Sequence, residues 1–207
     1  MPNWCFTNIS FDGPDASRFQ KDLKSWMVDT VENGFGSGWL GNIAINSGLI
    51  KPEEIDGDDI PRLRGSISYV TDPKDNSFSI DTETAWCCMT RVFAEIIRKF
   101  GYDLRMTFFA EEPGCGFYVS NDPDIVGTYR YECCISGLDE DDDIQFNDDV
   151  SMDVAAELAK EILQIKKVPY SDSDTPKELI SKAENVDLDD DEYVSFNQYE
   201  FCSEWEF

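Results

Sequence analysis

Between residues 139 and 207 the chain carries 22 acidic side chains against 5 basic ones. A fold must set nearly all of these carboxylates against water, because a buried unpaired charge is very costly to desolvate. Yet the same stretch holds too many apolar side chains to be a solvated polyanion. Ser151 is placed to cap a helix in which Met152, Ala155, Leu158, Ala159, Ile162 and Ile165 make an apolar stripe. Asp148, Asp149 and Asp153 fall at its positive end, and Lys166 and Lys167 at its negative end. Thr175-Pro176-Lys177-Glu178 reads as a capping box with proline in the first turn, opening a helix through Leu179, Ile180 and Ala183. Tyr193, Val194, Phe196, Tyr199, Phe201, Trp205 and Phe207 predict a strand that folds back on the preceding domain. The acids are therefore expected on ordered structure.

The whole chain holds 43 acids, 17 bases and no histidine, a net charge of −26. Residues 1–138 contribute 21 acids and 12 bases, so the charge is concentrated in the last third. Such a surface repels phosphate backbones and anionic lipid, which argues against direct nucleic-acid or membrane binding. It favours basic partners, whose encounter it accelerates. The alternative is that the charge serves only solubility.

The first 138 residues read as one α+β domain. Trp4 to Phe11 predicts a strand with Cys5, Thr7, Ile9 and Phe11 on one face and Trp4 and Phe6 on the other. Gly13-Pro14 opens a helix carrying Phe19, Leu23, Trp26, Met27 and Val31, stopped by Gly34, Gly36 and Gly38. Residues 35–61 read as an irregular insertion with a short buried piece at 39–45. A hairpin follows, with Ile67 and Tyr69 in one strand, Phe78 and Ile80 in the other, and Asp72 to Asn76 as the turn. Thr84 to Phe100 reads as a helix with Trp86, Met89, Phe93, Ile96, Ile97 and Phe100 on its apolar face and Gly101 as its stop. Strands are expected at 104–110, 116–119 and 128–135. The domains expected are thus 1–138 and an acidic α/β extension, 139–207, folding back on it.

Without histidine, Ser-His and Cys-His nucleophile pairs and histidine-ligated metals are unavailable. Cys115, in Pro113-Gly114-Cys115-Gly116, has no histidine base, and Cys87-Cys88 and Cys133-Cys134 lack the Cys-x-x-Cys spacing of a zinc knuckle. Gly34 to Gly38 has no following lysine and no strand-to-helix context for a phosphate loop. Asp187, Asp189 and Asp191 have the spacing of half a calcium loop, but Glu192 stands where glycine belongs and Gln198 where a bidentate glutamate belongs. Asp139, Asp141 and Asp143 fail likewise, with Val150 in the twelfth place. Glu111-Glu112 and Glu83 remain a candidate acid–base pair for hydrolysis. No catalytic residue, cofactor or metal is expected.

The opening Met1 to Cys5 has no basic region, long apolar run or cleavage site, so no signal peptide is expected. Seven cysteines, two pairs of them adjacent, do not form a secreted disulfide framework. The expected location is the cytoplasm, with free thiols.

Met1-Pro2-Asn3-Trp4-Cys5 with Asn8, then Asp81-Thr82-Glu83-Thr84-Ala85-Trp86 before a helix, then Ala110 to Gly116 around Glu111-Glu112-Pro113-Gly114, resemble the YubB-type ferredoxin-like domain family. Its members are encoded by plasmids, phages and other mobile elements, and the resemblance covers about residues 1–135. Cys87-Cys88 stand where members often have Ser/Thr-Pro. The resemblance implies a ferredoxin-like antiparallel sheet with helices on one face, and it carries over no activity and no functional residues.

Together these readings predict a non-enzymatic mobile-element protein that inhibits a basic nucleic-acid-binding host protein, of anti-CRISPR or anti-restriction type, by acidic DNA mimicry. The partner-binding residues expected are Asp139, Glu140, Asp141, Asp142, Asp143, Asp148, Asp149, Asp187, Asp189, Asp190, Asp191 and Glu192. The alternatives are a carboxylate-based metal-binding or hydrolytic accessory enzyme, and an interaction module whose charge serves only solubility.

Overall fold

Alternation of apolar and polar side chains, interrupted by three α-helices, builds the first half of the chain into a sheet with helices packed on it. The computed structural model describes residues 3–29, 36–54, 63–126, 130–138 and 146–203. Two compact units result, Met1–Asp122 with Phe201–Phe207 and Pro123–Glu200.

In the first unit the order is β1 (Trp4–Asp12), α1 (Ala16–Trp26), α2 (Leu40–Asn46), β2 (Gly65–Val70), β3 (Ser77–Ala85), α3 (Arg91–Phe100), β4 (Arg105–Glu112) and β5 (Phe117–Ser120). These strands lie side by side in the order β2-β3-β1-β4-β5, with antiparallel pairing throughout. Phe11 of β1 meets Phe19 of α1 at a ring separation of 5.0 Å and Phe93 of α3 at 6.0 Å. Both helices therefore cover the same face. Cys5, Ile9, Phe11, Phe78, Ile80, Phe108 and Ala110 form the floor of that core and Phe19, Leu23, Phe93 and Ile96 its roof. The short buried piece expected at 39–45 is α2, whose Leu40, Ile43 and Ala44 join the same core.

One helix boundary differs from the expectation. Thr84 and Ala85 belong to β3, paired with Cys5 and Trp4, and α3 begins only at Arg91. Cross-strand pairing captured residues whose spacing also suited a helix. Trp86, expected on the helix's apolar face, is instead 52% exposed.

The second unit contains α4 (Pro123–Val126), β6 (Tyr131–Ser136), β7 (Phe146–Val150), α5 (Met152–Ile165), α6 (Pro176–Glu184) and β8 (Tyr193–Gln198). Its sheet has the order β7-β6-β8, antiparallel at both pairings. Tyr131, Cys133, Ile135, Val194 and Phe196 pack with Ala155, Ala159, Ile162, Leu163, Leu179, Ile180 and Ala183 in a separate core. Ala155, Ala156 and Ala159 of α5 and Ala183 of α6 are all buried in this core. Thr175 and Glu178 form the expected capping box of α6. The acidic region is thus an α/β unit with its own sheet and core, in which α5 and α6 are joined by a three-stranded sheet that an acidic helical C-terminal extension would lack. Pairing draws β6 into this sheet, although the sequence reading grouped it with the first domain. The last strand, β9 (Glu200–Phe201), brings the chain back: the N–H of Cys202 donates to the carbonyl of Ser120 at 3.0 Å. Among the described residues no helix is long and apolar enough to cross a membrane.

Candidate functional site

At the end of β6 the chain turns at Gly137, whose φ of 77° lies in the left-handed region. A Cβ there would strike the carbonyl oxygen of Asp191, so Gly137 and the acidic run before β8 are in direct contact. Asp187, Asp189, Asp190 and Asp191 are all exposed. Their backbone is nevertheless held. The N–H of Asp189 donates to the Glu192 carboxylate at 2.7 Å, the N–H of Glu192 returns to the Asp189 carbonyl at 3.0 Å, and Lys166 of α5 pairs with the same carboxylate. These contacts hold the Glu192 carboxyl below the ordinary glutamate range, Lys166 contributing most. Glu192 is a fastener of this run, and its side chain is only 9% exposed.

Asp148 and Asp149 stand on β7, opposite Cys133 and Glu132. Asp148 is exposed, whereas Asp149 is paired with Arg130 at 3.3 Å and accepts from the Tyr199 hydroxyl at 3.4 Å. Burial raises its carboxyl, against the opposing pull of Arg130. Asp139, Glu140, Asp141, Asp142 and Asp143 lie outside the described residues. Phe146, which follows them, pairs with Ile135 near the Gly137 end of β6. Of the expected partner-binding acids, the structure therefore brings one exposed group together and assigns Asp149 and Glu192 to internal contacts.

In the first unit, three sequence blocks converge at one corner. The N–H of Trp86 donates to the Asn3 carbonyl at 3.0 Å, and the Asn3 amide donates to Cys115 Sγ at 3.3 Å. Gly114 is confined between them, since a Cβ there would lie 2.9 Å from both the Asn3 amide nitrogen and Glu112 Oε1. Trp86 holds φ of 76°, a strained value for a bulky side chain. Thr84 reinforces the bend by donating its hydroxyl to the Cys87 carbonyl at 2.6 Å. Glu112 is buried, and its Oε2 has no hydrogen-bond partner among the described residues.

The thiols here are held protonated. Burial pushes Cys5 up to about 11 and raises Cys88 further, and the Glu112 carboxylate raises the exposed Cys115. None has the depressed pKa of an activated thiolate. Among the described residues no group of three or more cysteine, aspartate or glutamate side chains is arranged to hold a metal ion.

The pair Glu83 and Glu111 takes an arrangement the sequence did not suggest. Phe6 is directly opposite Glu83 on β3 and Glu111 on β4. The two glutamates therefore stand on strands separated by two spacings, roughly 10 Å, with Phe6 on the strand between them. Glu112 points to the other face and is buried. The alternation of β1 was a legible signal for Phe6, but its acidic neighbours appear only with the register.

No family model, curated protein or solved structure matches the chain.

Proposed function

We propose that the protein is a non-enzymatic inhibitor that docks its acidic second unit into the basic groove of a nucleic-acid-binding protein, in the manner of a DNA mimic. The observation that carries this reading is the set of four exposed aspartates, Asp187, Asp189, Asp190 and Asp191, on a backbone fastened by Glu192 and Lys166. Carboxylates on a held backbone lose little freedom on binding, as a phosphate array does, and so bind more tightly than the same charges on a free chain. Stretch 123–200 contains 22 acids and 6 bases, which favours steering toward a basic partner.

The first unit is read as a ferredoxin-like domain. Its β-α-β-β-α-β succession, with α2 as an insertion, and the strand order β2-β3-β1-β4 support this, and so does the resemblance to the YubB-type family. A mobile-element origin makes a host defence nuclease the natural target, and the host cytoplasm the place of action.

The test is DNA cleavage by a panel of restriction and RNA-guided nucleases, with the wild type and a variant carrying Asn at 187, 189, 190 and 191. Inhibition by the wild type that weakens with salt and is lost in the variant supports the proposal. Inhibition retained by the variant, or absent across the panel, overturns it.

A further inference from the structure

The face of the first sheet turned away from Phe11 carries a row that crosses five strands: Ser66, Glu83, Phe6, Glu111 and Tyr118. Tyr118 is buried and Glu111 half-buried, so the open part of the row runs from Ser66 to the edge of Glu111. Residues directly opposite in antiparallel ladders project from the same face. Phe6 thus stands between two glutamates carried on the strands to either side of it, each strand about 5 Å away. Phe6 is 48% exposed and Glu83 is exposed, and among the described residues no ion pair holds Glu83. One rung along, Trp4 is opposite Ala85 and is also 48% exposed. Trp86, tethered to Asn3 beside it, is 52% exposed.

A half-exposed ring flanked by acids restricts what can cover it. An apolar partner would desolvate Glu83 without pairing it. An anionic partner would meet two carboxylates in a unit that is itself net negative. A flat cation satisfies both features, because it stacks on the ring and donates to the acids on either side.

We propose that this face is a docking surface for an arginine-bearing segment of a protein partner, with the guanidinium over Phe6, between Glu83 and Glu111, and its aliphatic stem against Trp4. Guanidinium fits better than ammonium. It is planar and weakly hydrated, and its fork of donors reaches two acceptors at once. Arg64, whose carbonyl accepts the Ala85 N–H, is exposed beside the Trp4 rung. This surface belongs to a different unit from Asp187 to Asp191, and the inference stands independently of DNA mimicry.

The experiment uses the full chain and a fluorescein-labelled peptide of alternating glycine and arginine, with the matching glycine–lysine peptide as its control, read by fluorescence anisotropy. The wild type is expected to prefer the arginine peptide. Phe6→Ala and Glu83→Gln are each expected to weaken it about five- to tenfold and to erase the preference. Phe6→Tyr, which keeps the ring face, retains it. Both positions are exposed, so unchanged thermal melts verify that each variant is folded. Asn at 189, 190 and 191 lowers the affinity for both peptides through charge alone and leaves the arginine preference intact. Equal binding of the two peptides by the wild type overturns the proposal. So does wild-type behaviour of Phe6→Ala and Glu83→Gln, or loss of the preference in the second-unit variant.

Discussion

Glu192 accepts the N–H of Asp189 at 2.7 Å while its own N–H donates to the Asp189 carbonyl at 3.0 Å, so two residues of an acidic run close a turn on themselves. A carboxylate placed among other carboxylates would ordinarily loosen such a segment. Lys166 reverses this by pairing with Glu192 from α5.

The Glu192 carboxyl lies below its ordinary value in the folded protein, chiefly through Lys166. Its contribution is therefore present above the ordinary glutamate range and is lost as pH falls through the folded value. Thermal melts should show the wild type ahead of Glu192→Gln at pH 7, with the gap closing as pH falls below the ordinary glutamate range. Asp149 has the opposite sign, because burial raises it. The wild type's advantage over Asp149→Asn is expected to shrink as pH rises.

Thr175 accepts from the N–H of Glu178, and the Glu178 carboxylate accepts from the N–H of Thr175 at 2.7 Å. Thr175→Ala should lower the stability of the second unit by about 1 kcal/mol, measured by urea denaturation. Thr175→Ser should retain most of it.

Phe11 is fully buried and meets Phe78 at 4.9 Å as well as Phe19 and Phe93. Phe11→Ala should destabilise the first unit by about 3–5 kcal/mol. Because Phe93 borders the same space, the double variant with Phe93→Ala should lose less than the sum of the two single losses.

Trp86 occupies the left-handed region with its side chain half in water. Trp86→Gly should melt above Trp86→Ala by the equivalent of about 1 kcal/mol, since alanine keeps the Cβ that strains this backbone and glycine does not. Ala and Gly variants that melt at the same temperature would show that the bend is not strained.

Local signals carried much of the fold. The alternation in β1, the stripe of α5 and the Thr175–Glu178 box could be read because each depends on residues a few positions apart. The start of α3 could not, since Thr84 and Ala85 fit either a helix or a strand until Cys5 and Trp4 pair with them. The acidic run was legible as composition, but Glu192's fastening role requires Lys166, which lies on a separate helix. Phe6 between Glu83 and Glu111 was hidden for the same reason. Those neighbours come from distant parts of the chain, and only strand register brings them together.

The contact between Cys202 and Ser120 gives stretch 123–200 its exit and its re-entry at adjoining points of one sheet. A stretch hung on neighbouring ends is a cassette, bridged in the first unit by this contact between its two attachment points. Taking it out would remove 22 of the 43 acids and 6 of the 17 bases and leave every residue that pairs β1 to β5 in the chain.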